Sequence, residues 1–356
     1  MKGPPPVTAN ARLLSLSVAS PPFILPQEEV IAGAREAFGE RYREFDRLKA
    51  VFTTAGIRTR QSVRPMQWYA QPLGWPERTE AYLEGADALF AEAAQSALHA
   101  AGLSGRDVDT VVTVSSTGIA TPSLEARAMG RLGFRSDIKR VPVFGLGCAG
   151  GVSGLSLAAR LACADPGSKV LFVTVELCTL SFRLDALTKA NIVATALFGD
   201  GAAAAVLSTE GAGAAQVIGA AETSWPDTLD IMGWRVDPTG FGVIFAQSIP
   251  VFAQAELGRA MASLLEDMGV ERSSVERFVC HPGGAKVITA LESALELETG
   301  ALDHERAVLA DHGNMSAPTV LFVLDRLLRS GLPSRVVLTA LGPGFTASAL
   351  ALERLG

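Results

Sequence analysis

The chain has 356 residues, 48% of them hydrophobic, with a formal net charge of −6 and a pI near 5.4. Such a chain can bury one large core or two fused ones, and its mild acidity gives no general attraction to nucleic acid or to an anionic membrane. Its mean hydropathy is +0.28, and the absence of a run of 18 apolar residues argues against stable membrane insertion. Four cysteines without a CxxC pair indicate reduced thiols in a cytoplasmic protein and predict no metal site.

The first part of the chain alternates between strand-like and helix-like patterns. We expect an irregular surface segment at 62–78, where prolines and tryptophans accumulate. The remaining predicted elements are a strand at 13–18, a helix running from 27 to 48, a helix at 80–101, a strand at 109–115, a helix at 123–132 and a strand at 141–144.

The same alternation continues to the C-terminus, and residues 220–245 are expected to be rich in loops with some strand character. The predicted elements are a helix from about residue 148, strands at 169–176 and 202–207, helices at 190–197, 250–268, 284–297 and 315–329, and strands at 278–280, 335–340 and 347–353. Alternation of this kind predicts an α/β protein with helices packed on the sheet. A weak similarity between 197–207 and 335–353 suggests two duplicated α/β halves, 1–215 and 216–356.

The most distinctive segment is the glycine-rich turn that contains Cys148, between the strand at 141–144 and a helix made of small residues. Free N–H groups and the positive end of a helix dipole favour an anion at a helix N-terminus. Cysteines placed there often have lowered pKa values. We therefore expect Cys148 to be a nucleophilic thiolate, although a lone cysteine among Gly and Ala is more commonly a small buried side chain.

The same segment also matches the dinucleotide-binding pattern G-x-G-x-x-G. The match runs from Gly145 to Gly150, and Glu176 ends the next predicted strand. A thiol would occupy the crowded turn that a pyrophosphate needs, and Glu176 lies further along the chain than the usual acidic residue. We therefore predict no dinucleotide cofactor.

Two later motifs supply partners for a thiolate. His281 precedes a glycine turn at the end of a predicted strand, and Asn314 follows Gly313 before a predicted helix. Each motif alone is usually structural, but a Cys, a His and an Asn in these contexts together favour nucleophilic catalysis.

These motifs resemble those of the thiolase-fold condensing enzymes and, among them, the chalcone synthase-like type III polyketide synthases. The resemblance extends from about residue 12 to the end of the chain. The matching motifs are Gly147-Cys-Ala-Gly150, Leu197-Phe-Gly-Asp-Gly-Ala-Ala-Ala204, His281-Pro-Gly-Gly284, Gly313-Asn-Met-Ser316 and Gly342-Pro-Gly344. The resemblance implies a thiolase-like fold with a layered αβαβα core, a homodimer, and acyl-CoA and malonyl-CoA as substrates without a cofactor.

The resemblance also implies roles for individual residues. Cys148 would hold the acyl starter, His281 would pair with its thiolate, and His281 and Asn314 would stabilise the enolate formed from malonyl-CoA. Phe198 and Phe245 match two gate positions between the CoA tunnel and the cavity. The cavity-lining positions are matched by Thr117, Cys178, Ser181 and Ser316.

Two departures from the plant enzymes bear on the substrate. Cys178 stands where they have threonine, and Thr121 where a methionine reaches across their dimer. Smaller residues leave room for a long acyl chain, so we expect a medium or long fatty acyl starter and an alkylpyrone or alkylresorcinol product. Only part of the basic CoA-binding set is retained, with Arg47, Lys49 and Lys286 as its candidates.

Three alternatives remain open at this point. The product could be of the phloroglucinol or tetrahydroxynaphthalene type. The enzyme could perform a single condensation, as ketoacyl synthase III does. A catalytically inactive acyl-CoA-binding protein is disfavoured by the intact set of Cys148, His281 and Asn314.

Overall fold

A computed structural model describes residues 10–39, 41–42 and 45–356, without the side chains of residues 46–49. Thirteen strands are present in these ranges. They are β1 Arg12–Ala19, β2 Phe23–Pro26, β3 Thr59–Ser62, β4 Thr110–Val114, β5 Lys139–Val143, β6 Val170–Leu177, β7 Asp200–Ser208, β8 Ala215–Ser224, β9 Met232–Asp237, β10 Gly240–Phe245, β11 Arg277–Cys280, β12 Arg335–Gly342 and β13 Thr346–Arg354.

Eleven α-helices accompany the strands in the same ranges. They are α1 Gln27–Phe38, α2 Phe45–Thr54, α3 Met66–Tyr69, α4 Trp75–Ala100, α5 Leu124–Leu132, α6 Gly150–Ala164, α7 Lys189–Leu197, α8 Ile249–Asp267, α9 Ala285–Ala294, α10 Asp303–His312 and α11 Pro318–Ser330.

Nine strands form one sheet in the order β11-β12-β13-β8-β1-β7-β6-β4-β5. The pairing between strands is shortest at the middle of the sheet, where β8 pairs with β1 only through Arg12–Gln216 and Leu13–Ala215. Most of β8 pairs with β13 instead. The sheet therefore divides into a first half-sheet, made of β1 and β4–β7, and a second half-sheet, made of β8 and β11–β13.

The helices form three layers around these half-sheets. Helices α6 and α11 lie in the middle and contact strands of both half-sheets, α4 covers the outer face of the first, and α8 contacts the second. Separate groups of buried apolar side chains fill the middle layer and the two outer layers. This αβαβα arrangement confirms the predicted fold class, and it follows from apolar faces that can be buried only between layers.

The most apolar helix is also the most central one. Residues Gly147–Ala164 have the length and composition of a membrane-spanning helix, but 72% of them are buried inside the protein. Their hydrophobicity is accounted for by contacts of α6 with strands on both of its sides.

Several predicted boundaries were wrong. The helix expected from 27 to 48 ends at Phe38 and a second begins at Phe45, while the expected surface segment 62–78 includes α3, the start of α4 and the buried Tyr69. Residues 220–245 are mostly strand, and α10 was not predicted. The proposed internal similarity also fails in detail, because 335–353 is a strand hairpin whereas 197–207 is a helix end followed by one strand.

Helices α6 and α11 approach each other closely because Gly151 has no side chain. A Cβ atom at Gly151 would lie 2.2 Å from the carbonyl oxygen of Ala317 and 2.8 Å from Cγ1 of Val320. A methyl group would force the two central helices apart, together with the turns at their N-termini.

We predict that Gly151→Ala lowers the free energy of unfolding by about 1–3 kcal/mol through overpacking. The matched control is Gly130→Ala in α5, where an added Cβ would meet no atom within 4 Å. Because alanine is the better helix former, this control should raise stability by up to about 1 kcal/mol. Urea unfolding measures both, and equal effects of the two changes would contradict the close packing at Gly151.

Candidate active site

Cys148 lies in a short 3-10 turn, Gly147–Ala149, between β5 and α6. The turn requires glycine at 147, because the backbone there has a φ of +47° and a Cβ would lie 2.7 Å from Cδ of Pro343. As predicted from the sequence, the thiol is at the N-terminal end of the α6 segment. It is buried, with 9% of the residue exposed.

His281 follows β11 and is also buried. Its backbone N–H donates to the carbonyl oxygen of Thr339 on β12, at 2.8 Å. The N–H of the preceding residue, Cys280, donates to the buried carboxylate of Glu305 at 2.9 Å. These bonds fix the backbone at the end of β11, from which the imidazole projects.

Asn314 follows α10 and lies shortly before α11. Its Oδ1 accepts a hydrogen bond from the N–H of Ser316 at 2.8 Å, and its Nδ2 donates to the carbonyl oxygen of Gly283 at 3.2 Å. The amide orientation is thereby set, and Nδ2 keeps a second proton that can serve another acceptor.

The three side chains predicted to be catalytic lie around one cavity of about 20 Å³. The sulfur of Cys148 is within hydrogen-bonding reach of the side chains of Ser316 and Asn314. Neither ring nitrogen of His281 has a hydrogen-bond partner among the described residues. The apolar part of the lining consists of Met232, Phe245, Ile249, Val287, Leu291, Ala340 and Leu341.

The electrostatics of this cavity differ from the sequence-based expectation. Burial raises the pKa of the Cys148 thiol to about 11, outweighing the hydrogen bonds from Ser316 and Asn314. Burial also lowers the pKa of His281 to about 4. The predicted lowering of the thiol pKa was therefore wrong, because burial favours the neutral thiol and the neutral imidazole.

The two predicted gate residues contact each other. The ring centroids of Phe198 and Phe245 are 6.4 Å apart in an edge-to-face arrangement, and Trp234 packs against Phe198 at 6.0 Å. Trp234 was not identified from the sequence. It lies on β9, which forms a hairpin with β10, the strand that carries Phe245. The sequence predicts mainly loops over 220–245, so the pairing of these two strands was not expected.

A larger cavity of about 730 Å³ lies on the other side of Phe198. Phe198, Cys178 and Ser181 line it, whereas Phe245 lines the smaller cavity, and neither Thr117 nor Ser316 is among the lining residues of either. Cys178 is close enough to Cys148 for the charge of one to affect the pKa of the other. Phe198 and Cys178 therefore line the larger cavity, and each lies near a residue of the smaller one, Phe198 near Phe245 and Cys178 near Cys148.

Thr117, predicted to line the cavity, contacts a buried carboxyl group and lines neither of the two cavities described above. Its hydroxyl donates to Oε2 of Glu176 at 2.7 Å, and the N–H of Ser116 donates to the same carboxyl group. Burial raises the pKa of Glu176 from 4.5 to about 8. The residue that resembled a ribose-binding acid in the sequence is thus an internal group beneath the loop after β4.

Of the three basic residues predicted to bind CoA, only Lys286 has a described side chain. Lys286 is exposed in the first turn of α9, one residue before Val287, which lines the small cavity. Arg47 and Lys49 belong to α2, but their side chains lie outside the described residues. Within the described ranges, no group of three or more His, Cys, Asp or Glu side chains could hold a metal ion.

We predict that Glu176→Gln makes stability less dependent on pH between about 5 and 8. The unfolded carboxyl loses its proton near pH 4.5, whereas the folded one keeps it up to about pH 8, so the wild-type protein loses stability as the pH rises through this window. Urea unfolding at pH 5, 6.5 and 8.5 measures the difference, with the exposed Glu210→Gln as control. Equal pH dependence in the wild-type protein and Glu176→Gln would contradict the raised pKa.

Comparison with known proteins agrees with this geometry. The family described as chalcone and stilbene synthases matches through its N-terminal domain at residues 7–211 and its C-terminal domain at residues 216–355. A 1,3,6,8-tetrahydroxynaphthalene synthase from Streptomyces peucetius subsp. caesius is 41% identical over 86% of this chain and 83% of its own length. A putative chalcone synthase from Bacillus subtilis is 35% identical over 96% of this chain and 98% of its own.

The fold leads to the same family. The crystal structure of the 1,3,6,8-tetrahydroxynaphthalene synthase from Streptomyces coelicolor A3(2), a bacterial type III polyketide synthase, superposes with a TM-score of 0.92. It is 29% identical and covers 97% of this chain and 99% of that one. The chain therefore belongs to the chalcone and stilbene synthase family and is an acyl-transferring type III polyketide synthase.

Proposed function

We propose that this enzyme loads a medium- or long-chain fatty acyl group from acyl-CoA onto Cys148. It then extends that group with malonyl-CoA and closes the product to an alkylpyrone or alkylresorcinol. The observation that carries the choice of starter is the cavity of about 730 Å³ directly behind Phe198 and Cys178.

In the loading step, the thiol of Cys148 gives its proton to His281 and its sulfur attacks the thioester carbonyl of acyl-CoA. A new C–S bond forms to Cys148, the C–S bond to CoA breaks, and the CoA thiolate takes the proton from the imidazolium. The cavity excludes water, so the acyl-enzyme is protected from hydrolysis.

In the extension step, malonyl-CoA loses carbon dioxide and becomes the enolate of acetyl-CoA. The Nδ2 proton of Asn314 that Gly283 does not accept and a ring N–H of His281 donate to the enolate oxygen. Each such donor is typically worth about 2.7–4 kcal/mol in a preorganised site. The enolate carbon attacks the acyl carbonyl, a C–C bond forms, and the thiolate of Cys148 leaves.

The larger cavity suits an acyl tail. Its volume lies within the range of about 300–1,000 Å³ that is usual for ligand pockets. Small residues on α1 and α7 leave the space open, including Gly33, Ala34, Ala37 and Ala194. A tail that entered past Phe198 and Cys178 would bury its methylene groups there, at about 0.8 kcal/mol for each.

A second candidate is the synthesis of tetrahydroxynaphthalene from malonyl units alone. The relative that is 41% identical is named for that product. In addition, the cavity beside Cys148 is only about 20 Å³, and the bulky Trp234 packs on its gate. A malonyl starter would need no acyl tail site.

We further propose that the enzyme is a cytoplasmic homodimer. We also propose that Arg47, Lys49 and Lys286 contact CoA. β5 is an edge strand of the sheet, and Ile119 and Phe144 near it are 58% and 56% exposed. An exposed edge with apolar neighbours is a surface that a second copy can cover.

We also propose that the chain is divided into two functional halves, residues 1–215 and 216–356.

The deciding experiment is mass spectrometry of the products formed from labelled malonyl-CoA, alone and with acyl-CoA starters of 2 to 18 carbons. The proposal expects tri- and tetraketide products that carry the long acyl chain and are absent with Cys148→Ala. Tetrahydroxynaphthalene from malonyl-CoA alone would favour the second candidate. A single extension would indicate a ketoacyl synthase III-type reaction, and no malonyl-CoA consumption would indicate an inactive acyl-CoA-binding protein.

We predict that Gly33→Leu shortens the longest acyl-CoA that the enzyme accepts. Gly33 lines the larger cavity from α1, and a Cβ there would meet only Sδ of Met66, at an ordinary distance of 3.6 Å. Competition between starters of different length measures the change, and Gly130→Leu on α5, which lines no cavity described above, is the control. An unchanged chain-length profile in Gly33→Leu would contradict the tail site.

A further inference from the structure

The C-terminal end of α7 carries Phe198 and is paired with Asn314. The N–H of Asn314 donates to the carbonyl oxygen of Leu197 at 2.8 Å, and the N–H of Gly199 donates to the carbonyl oxygen of Asn314 at 3.0 Å. A Cβ at Gly199 would lie 2.2 Å from the carbonyl oxygen of His312, so the two segments are in close contact. Any shift of the α7 end must therefore shift the backbone of Asn314.

The last carbonyl groups of a helix have no partner within the helix. At the end of α7, one buried side chain supplies most of the missing donors. Nη1 of Arg60 donates to the carbonyl oxygens of Thr195 at 2.8 Å and Phe198 at 2.9 Å, and its Nη2 donates to that of Ala196 at 2.8 Å. The carbonyl of Leu197 is the one taken by Asn314.

The charge of Arg60 adds to these bonds. Burial lowers its pKa to about 9, which leaves the guanidinium positively charged at neutral pH, at the negative end of the α7 dipole. Its orientation is fixed by Gln27, whose Oε1 accepts from Nη2 and whose Nε2 also donates to Ala196. The negative charge of Asp200 is held nearby by the backbone N–H groups of Val63 and Thr179.

β3, the strand that carries Arg60, is also hydrogen-bonded to the residues that precede Asn314. Gln61, the next residue of β3, donates from Nε2 to the carbonyl oxygen of Asp311 at 3.2 Å, and its Oε1 is 2.7 Å from Nδ1 of His312. The end of α7 and the end of α10 are thus both attached to β3. Arg60 lines the larger cavity but is not among the residues that line the cavity around Cys148.

We propose that Arg60 is a positioning residue that sets Phe198 and Asn314 relative to Cys148. This inference rests on the proposed decarboxylative function of Asn314. If Arg60 is removed, the carbonyls of Thr195 and Phe198 lose the donor that Nη1 supplies, and the segment that orients Asn314 is released. The backbone that carries Cys148 belongs to the turn Gly147–Ala149 before α6 and lies outside this segment, although the sulfur is within hydrogen-bonding reach of Asn314 and Ser316.

The test separates two activities of the same cavity. Malonyl-CoA decarboxylation needs the amide of Asn314, whereas alkylation of Cys148 by iodoacetamide reports on the nucleophile. We expect Arg60→Ala to slow decarboxylation by about 10- to 100-fold, as displacement of a catalytic group by about 1 Å can do. The alkylation rate should fall by less than the decarboxylation rate, because the backbone that carries Cys148 lies outside the released segment.

Two further observations distinguish positioning from a general loss of structure. Guanidinium chloride at millimolar concentration should restore decarboxylation to Arg60→Ala by filling the vacated site, whereas sodium chloride of equal ionic strength should not. Arg60→Lys keeps the charge with a different donor geometry and should be intermediate. Leu352→Ala is the stability control, since Leu352 is buried and pairs with Val336, away from Thr339–Leu341 at the cavity.

Decarboxylation at the wild-type rate in folded Arg60→Ala and Arg60→Lys would overturn the inference. So would parallel losses of decarboxylation and alkylation, or a loss equal to that of a comparably destabilised Leu352→Ala. If the wild-type enzyme itself does not decarboxylate malonyl-CoA, the proposed function fails, and the inference fails with it. Measurement of the wild type beside the variants therefore tells the two failures apart.

Discussion

The close crossing of α6 and α11 is the constraint on which the site depends. Both helices contact the two half-sheets, and Gly151 of α6 lies against the carbonyl of Ala317, just before α11. Cys148 immediately precedes the first helix, and Asn314 lies shortly before the second. The contact that closes the middle layer therefore also brings together the two chain segments that carry the proposed nucleophile and the proposed amide donor.

The catalytic groups lie in a cavity that stabilises no isolated charge. Burial moves the pKa values of Cys148 and His281 in opposite directions, and both shifts favour the neutral form. A site of this kind favours charge only where hydrogen bonds or an opposite charge are supplied. The proposed steps, a thiolate formed beside a protonated His281 and an enolate formed beside Asn314, meet that condition. Exclusion of water from this cavity would also protect the proposed acyl thioester on Cys148 from hydrolysis.

Sequence motifs located the residues of the site but not the spaces around them. Cys148, His281 and Asn314 could be identified because each lies beside a glycine turn at the end of a strand or helix, a local signal. The cavity behind Phe198 depends on how α1, α3 and α7 pack, which is a tertiary property. Trp234 and the role of Glu176 were missed for the same reason, since their partners are far away in the chain.

The fold class was predictable from the alternation of strands and helices, whereas several boundaries were not. Helix α10 has mostly polar or charged residues and buries only Glu305, Val308 and Leu309, so its apolar period is weak. The hairpin of β9 and β10 is not resolved within the segment 220–245, for which the sequence predicts loops with some strand character, because its strands are short and many of its residues are only partly buried. Residues 62–78 contain prolines, but Pro65 and Pro76 lie at helix starts, where proline is tolerated.

The central claim is that Cys148 alone holds the growing acyl chain, with its tail in the space beyond Phe198 and Cys178. The most direct measurement is the mass of the intact protein after brief exposure to a long-chain acyl-CoA without malonyl-CoA, followed by peptide mapping. The account predicts one acyl group per chain, attached to the peptide that contains Cys148 and lost in Cys148→Ala. Acylation of Cys178 instead, or no acylated protein under conditions that give product, would contradict it.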